Sequence, residues 1–404
     1  MERRRIPACA LTPCMLLLGA CTEEAGTSPS IVRDSAGITI VENTAPAWQE
    51  GAEWRIDAAP EPAIGLVDGP PELQLFRVTG ALRLDDGRIV VANSGTSELR
   101  FYDAHGSHLH TAGGRGEGPG EFTGPIQLFR WGADSLVAWD GQLLRISVFS
   151  NDGAFARAFP VARPDPRASP RPAGIFDDGT VFIRTGRVFS SGDVTPGISR
   201  DSSALYRLRL DGTVLDTLGV FPGSESFVTI LDGGFMVDGV PFSGSLAAAI
   251  HGNRVFIGRG DTFEFEVRAN DGTLLRIVRL ARANAPVTPE DIDAYRRQRL
   301  EGIDEDGIRQ LLETELANTP FPEWMPPYAG LFVDALGNVW IEAHQGPGQT
   351  GPAPWLIFDA DGRLLGEIPG IDRFFPYDVG DDYILGRRLD ELDVERVELY
   401  RIRK

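Results

Sequence analysis

Short runs of Val, Ile, Leu, Phe and Tyr recur along the chain, each interrupted after a few residues by an Asp-Gly or Asp/Asn-x-Gly turn. Runs of this length bounded by turn residues form strands, and the turns are those of antiparallel hairpins. One set of hairpins turns at residues 103–106, 151–153, 211–212, 270–272 and 359–362. A second set precedes it, unit by unit, with turns at 85–87, 132–135, 177–179, 251–253 and 334–338. A long helical period appears only once, within 282–327.

Two hairpins per unit mean four strands per unit, which is the repeat of a propeller blade. A last half-unit, Val379 to Leu385 followed by Val397 to Ile402, supplies three strands at most and needs a partner. The N-terminal segment provides one: residues 54–57 are the candidate closing strand and 38–41 the alternative, since joining the chain ends removes an open sheet edge. The fold class is therefore all-β, a six-bladed β-propeller over residues 31–404 with a small helical insertion. Residues beyond the roughly 40 to 50 of a bare blade are placed at 186–202, 221–246 and 282–327. The last of these opens with Thr288, Pro289, Glu290 and Asp291, a helix N-terminus. It continues with Ile308, Leu311, Leu312 and Leu316 and stops before Pro320. It predicts two short helices broken near Gly307. Ile292, Ile303 and the four apolar positions just named need a surface, and the axial mouth is the nearest. That makes the insertion a lid, or else a helical pair packed on the side of a blade.

The N-terminus carries Arg3, Arg4 and Arg5, then a short apolar stretch ending Leu18-Gly19-Ala20-Cys21. Residues 1–20 read as a signal peptide. The final four resemble the bacterial lipobox, which implies cleavage before Cys21 and lipidation of that cysteine. Residues 21–30 are then a polar tether, and Thr22 after the cysteine implies the outer membrane, facing the periplasm or the cell surface. The remaining cysteines, Cys9 and Cys14, lie in the leader, so no disulfide staples the mature domain.

Composition narrows the function classes. A formal charge of -19 excludes a nucleic-acid surface, which needs concentrated Lys and Arg. The sole lysine is Lys404, which removes phosphate-loop, kinase-type and Schiff-base chemistry.

Val91-Ala92-Asn93, Phe101-Tyr102-Asp103, the stretch from Gly113 to Phe122, Val339-Trp340 and Trp355 to Asp359 carry a family likeness. Over residues 53–404 the sequence resembles the six-bladed, NHL-like β-propeller lipoproteins of bacteria. The likeness implies the fold and leaves the function open.

The glycines from Gly113 onward fit no Gly-x-Gly-x-x-Gly frame and precede no helix, so they read as a tight crossing between sheets with Phe122 packed beneath. His105, His108 and His110 read as exposed edge residues rather than a zinc site, having no carboxylate or thiolate partner nearby. Gly-x-Ser-x-Gly and His-Glu-x-x-His frames are absent from the sequence. Ligands of propellers bind at the axial mouth, where the strand assignment places Asn93, Asp140, Arg184, Arg259, Glu342, His344 and Arg387, with Arg115 in a crossing loop. Two functions compete. In one, the protein is a lipid-anchored binding module without cofactor, taking a protein, peptide or glycan, with Arg115, Arg184, Arg259, His344 and Arg387 meeting the ligand. In the other it resembles the metal-dependent lactonases and lyases built on propellers, with calcium or another divalent cation held by Asn93, Asp140, Glu342 and His344.

Overall fold

The computed structural model describes residues 29–163, 167–187, 195–231, 234–349 and 351–404. Its strands form six sheets taken in chain order. Their first strands are Val78–Arg83, Ile126–Trp131, Ala168–Ile175, Ala247–His251, Tyr328–Val333 and Phe374–Val379. All six line one central cavity, so the sheets stand around a common axis with their first strands innermost.

Apolar clusters fill the seams between successive sheets and explain why the ring holds. Phe101 of the first sheet packs with Leu136 and Phe149 of the second. Trp139 joins Ile183, Phe182 joins Ile257, Phe265 joins Ile341, and Trp355 joins Ile384 at the next four seams. Tyr102 and Ile64 then meet Leu385 and Val397, returning from the sixth sheet to the first. The second strands are thus buried on both faces, which is why they read as continuous apolar runs rather than alternating ones. The fold is all-β and propeller-like.

The closing strand lies where the sequence places it. Ile56 pairs with Ile402 and Arg55 with Arg403, and Ala63–Ile64 pairs further along the same last strand, Glu395–Arg403. The alternative segment goes elsewhere: Ile38–Asn43 runs parallel to Leu274–Leu280, with Ser30–Ser35 outside it, making the fourth sheet six-stranded. Val41, fully buried, draws it into the seam between the fourth and fifth sheets.

Two of the three surplus segments are strand rather than loop. Gly197–Leu208 and Val214–Leu231 pair along most of their length, and Gly234–Gly239 adds to their far end, so the third sheet has five strands. Burial alternates with period two from Gly197 to Tyr206, a pattern that fits a strand wetted on one face. Residues 188–194, within the first of these segments, lie outside the described residues. The third segment is helical: α1 is Pro289–Leu300 and α2 is Asp306–Asn318. Thr288 caps α1 in a reciprocal capping box with Asp291. The break falls at 301–305 rather than near Gly307, which sits inside the first turn of α2. No helix among the described residues is long and apolar enough to cross a membrane. The leader and Cys21 lie outside the described residues.

Candidate functional site

The central cavity has a volume of about 560 Å³ and is lined chiefly by the first strands of the six sheets. Small residues keep it wide, among them Ala81, Ala173, Ala247, Ala249, Ala329 and Gly330. Phe375 of the sixth sheet is 57% exposed on its wall and packs against Tyr377 with ring centroids 5.3 Å apart.

Three charged side chains enter it. Arg171 and Arg184 lie directly opposite each other on neighbouring strands of the third sheet. Arg184 donates from Nη1 to the carbonyl of Leu246 at 3.1 Å. Neither arginine has a carboxylate within 4.0 Å among the described residues. Burial, and then repulsion from Arg171, lower the pKa of Arg184. Glu342, on the fifth sheet, also reaches the cavity, and burial raises its pKa. Two guanidinium groups without a counter-charge favour an anion, because bringing one in removes their mutual repulsion and supplies charge-assisted hydrogen bonds.

The other sequence candidates have partners elsewhere. Asn93 is fully buried, accepting from the Phe76 backbone at 2.7 Å and donating to Thr96 at 2.8 Å. Asp140 accepts backbone N–H groups from Thr123, Gly124, Gln142 and Leu143. Burial pushes its pKa up, but those four donors bring it below the ordinary carboxylate value. Both side chains brace their own loops through these hydrogen bonds. Among the described residues no three His, Cys, Asp or Glu side chains converge on a point that could hold a metal ion. Arg259 pairs with Glu266 at 2.5 Å and Arg387 with Glu395 at 3.1 Å. Arg115 is exposed and donates to the carbonyl of Gly95 at 3.4 Å. Of the five ligand-binding candidates, only Arg184 lines the central cavity.

His344 stands beside the mouth rather than in the cavity. Its ring meets Phe242 edge-on at 6.3 Å, and Phe242 in turn packs against Tyr295 of α1 and Phe321 just after α2. Burial lowers its pKa, and its Nε2 is buried without a hydrogen-bond partner among the described residues. The helical insertion therefore touches the mouth through this aromatic cluster. No described residue of 282–327 lines the cavity itself. Leu316 is buried, but Ile308 and Leu311 remain 46% and 59% exposed, since only the C-terminal half of α2 reaches the body of the protein.

Two sequence motifs have structural roles. Arg145 anchors the glycine-rich crossing by donating to the carbonyls of Glu117 and Glu121, and Phe122 below is fully buried between the first and second sheets. His110 stacks on Phe101 at 4.4 Å and His108 bonds Thr111 at 2.9 Å on the outer strand of the first sheet. The residue missed from sequence is Arg171. It sits in Ser169-Pro170-Arg171-Pro172, a proline-flanked stretch of an innermost strand. Proline is tolerated there because such a strand has one unpaired edge.

The sequence matches no protein-family model and no curated protein. Among solved structures, it is similar to a Bacteroides fragilis protein described as exported, with 11% identity, TM-score 0.49 and coverage of 90% of this chain and 99% of that one. A member of the DUF4221 family from Bacteroides vulgatus has 11% identity, TM-score 0.48 and coverage of 87% and 99%. Virginiamycin B lyase of Staphylococcus aureus has 10% identity, TM-score 0.41 and coverage of 87% and 100%.

Proposed function

We propose that this protein is a lipid-anchored, extracytoplasmic propeller of the six-bladed, NHL-like kind that binds an anionic ligand at its axial mouth. The observation that carries the reading is the pair Arg171 and Arg184, opposed in the central cavity with no carboxylate within 4.0 Å of either among the described residues. The reading needs no cofactor. A propeller is a rigid mount for such a site, since its charged groups are held on strands before any ligand arrives. The metal-dependent alternative loses support because Asn93 and Asp140 are both engaged by backbone amides. The envelope location rests on Leu18-Gly19-Ala20-Cys21 behind an arginine-rich start. It predicts that Cys21→Ala releases the protein from membranes.

Anion binding is tested by thermal unfolding of the wild type and of Arg184→Met with increasing citrate at constant ionic strength. A ligand that binds only the folded state raises the midpoint by mass action. The wild type should show that rise and the variant should lose most of it. An equal rise in both would remove the arginine pair from the binding site.

A further inference from the structure

Building on the anion-binding reading above, we propose that the axial cavity takes a short peptide with free ends, its carboxylate on Arg171 and Arg184 and its ammonium group on Glu342.

The charges are arranged for a ligand carrying both signs. Arg171 and Arg184 belong to the third sheet and Glu342 to the fifth, and all three face one cavity. No ion pair joins Glu342 to either arginine within 4.0 Å, and its carboxylate has no hydrogen-bond partner among the described residues. A simple anion would satisfy the arginines and leave Glu342 alone in a half-buried place. A zwitterion with separated charges satisfies both ends, and a guanidinium pair suits the two oxygens of a carboxylate.

The wall between the two ends suits a peptide backbone. Ala247–His251 of the fourth sheet lies between them in the ring and pairs on one side only, with Arg254–Gly258. Its other edge, which has no strand partner among the described residues, borders the cavity, and an extended peptide can meet its N–H and C=O groups by main-chain hydrogen bonds. Ala247, Ala248 and Ala249 give that edge no bulky side chains to block the approach. Phe375 and Tyr377, on the sheet diametrically across the ring from the third, offer an aromatic surface for an apolar side chain. A cavity of about 560 Å³ falls within the usual size of small-ligand pockets, roughly 300 to 1,000 Å³.

The test uses the tripeptide Ala-Phe-Ala, its N-acetyl derivative and its C-terminal amide, titrated calorimetrically into the full-length protein. The free tripeptide should bind, and each block should weaken binding by about tenfold or more, the loss of one charge-assisted contact. In Glu342→Gln, acetylation should cost nothing further. In Arg184→Met, where Arg171 alone is left to meet the carboxylate, amidation should cost less than it does in the wild type. Melting curves of both variants establish that they are folded. If the N-acetyl peptide binds the wild type as tightly as the free one, Glu342 holds no ammonium and the proposal is wrong, although the anion site stands. If the amide binds as tightly as the free peptide, the arginine reading fails with it. Absence of binding by all three peptides at millimolar concentration overturns the peptide proposal, and the citrate experiment then decides the anion site separately.

Discussion

Arg403 donates to both carboxylate oxygens of Asp57, at 3.1 and 2.7 Å, across a separation of 346 residues. The pair sits at the end of the closing strand, where Arg55 and Ile56 join the last strand of the chain. The contact itself is exposed and screened, so its worth to stability is small. Its position matters more: the segment beside it covers the outer edge of the sixth sheet, through Glu61 to Leu399 at 2.7 Å and Leu399 to Pro62 at 3.0 Å. Deleting residues 53–64 should therefore lower the midpoint of the whole unfolding transition and raise the tendency to aggregate, because it opens a sheet edge. Asp57→Asn should leave the midpoint nearly unchanged. Calorimetry of the two variants separates the effects, and a deletion that melts like the wild type would show that the ring does not need this strand.

Asn43 is a second long-range clamp. Fully buried, it donates to the carbonyls of Arg279 and Gly362, and it accepts from the Leu364 backbone and the Ser30 hydroxyl. It thereby ties the N-terminal hairpin to the fourth and fifth sheets. Asn43→Ala leaves a buried N–H and two carbonyls without a protein partner, each costing about 1 to 3 kcal/mol before any water enters. A destabilisation of about 2 to 4 kcal/mol in denaturant unfolding is expected. A value below about 0.5 kcal/mol would mean that water replaces the amide without loss.

The repeat was legible because the inner strands of each sheet bury both faces and the hairpins turn on glycine, so the strand runs and the Asp-Gly turns stand out in order. The site was legible only where the strand ends could be counted. Counting located Arg184 and Glu342, which do line the cavity, but equally selected Asn93 and Asp140. Asn93 and Asp140 end their second strands, whereas Arg184 and Glu342 stand three residues and one residue short of the ends of theirs, and nothing in one sequence distinguishes a side chain that turns into the axis from one that caps its own loop with backbone hydrogen bonds. Arg171 was hidden by its flanking prolines. The third sheet's long hairpin reads as insertion because its strands outrun the length of a bare blade.

His344 links the mouth to the helices through Phe242, Tyr295 and Phe321. Burial lowers its pKa below the ordinary 6.5, so the folded state binds its proton less readily than the unfolded state does. Its contribution is therefore fully present above about pH 6.5 and is lost as the pH falls through the lowered value. His344→Gln should flatten the fall in melting temperature between pH 7 and pH 5. Limited proteolysis at the 301–305 turn should accelerate over the same range in the wild type only, if the cluster holds the helices in place. Identical pH profiles for the two proteins would take His344 out of that role.

Glu342 has the opposite dependence, and it reports on the cavity directly. Burial raises its pKa above the ordinary 4.5, so ionising it in the folded protein is harder than in the unfolded chain. The protonated carboxyl costs the fold nothing below about pH 4.5. Stability is then lost as the pH rises through the raised folded value. Glu342→Gln, which keeps the shape and removes the charge, should match the wild type near pH 4 and melt at a higher temperature than the wild type at pH 7. A ligand ammonium at this carboxylate would favour its ionised form and lower its pKa, so binding near pH 5 should release protons. Calorimetric titrations in two buffers of different ionisation enthalpy measure that release. A wild type and variant with parallel stability across pH 4 to 7 would show that Glu342 is solvated after all, and the absence of proton release on peptide binding would separate the cavity's carboxylate from its ligand.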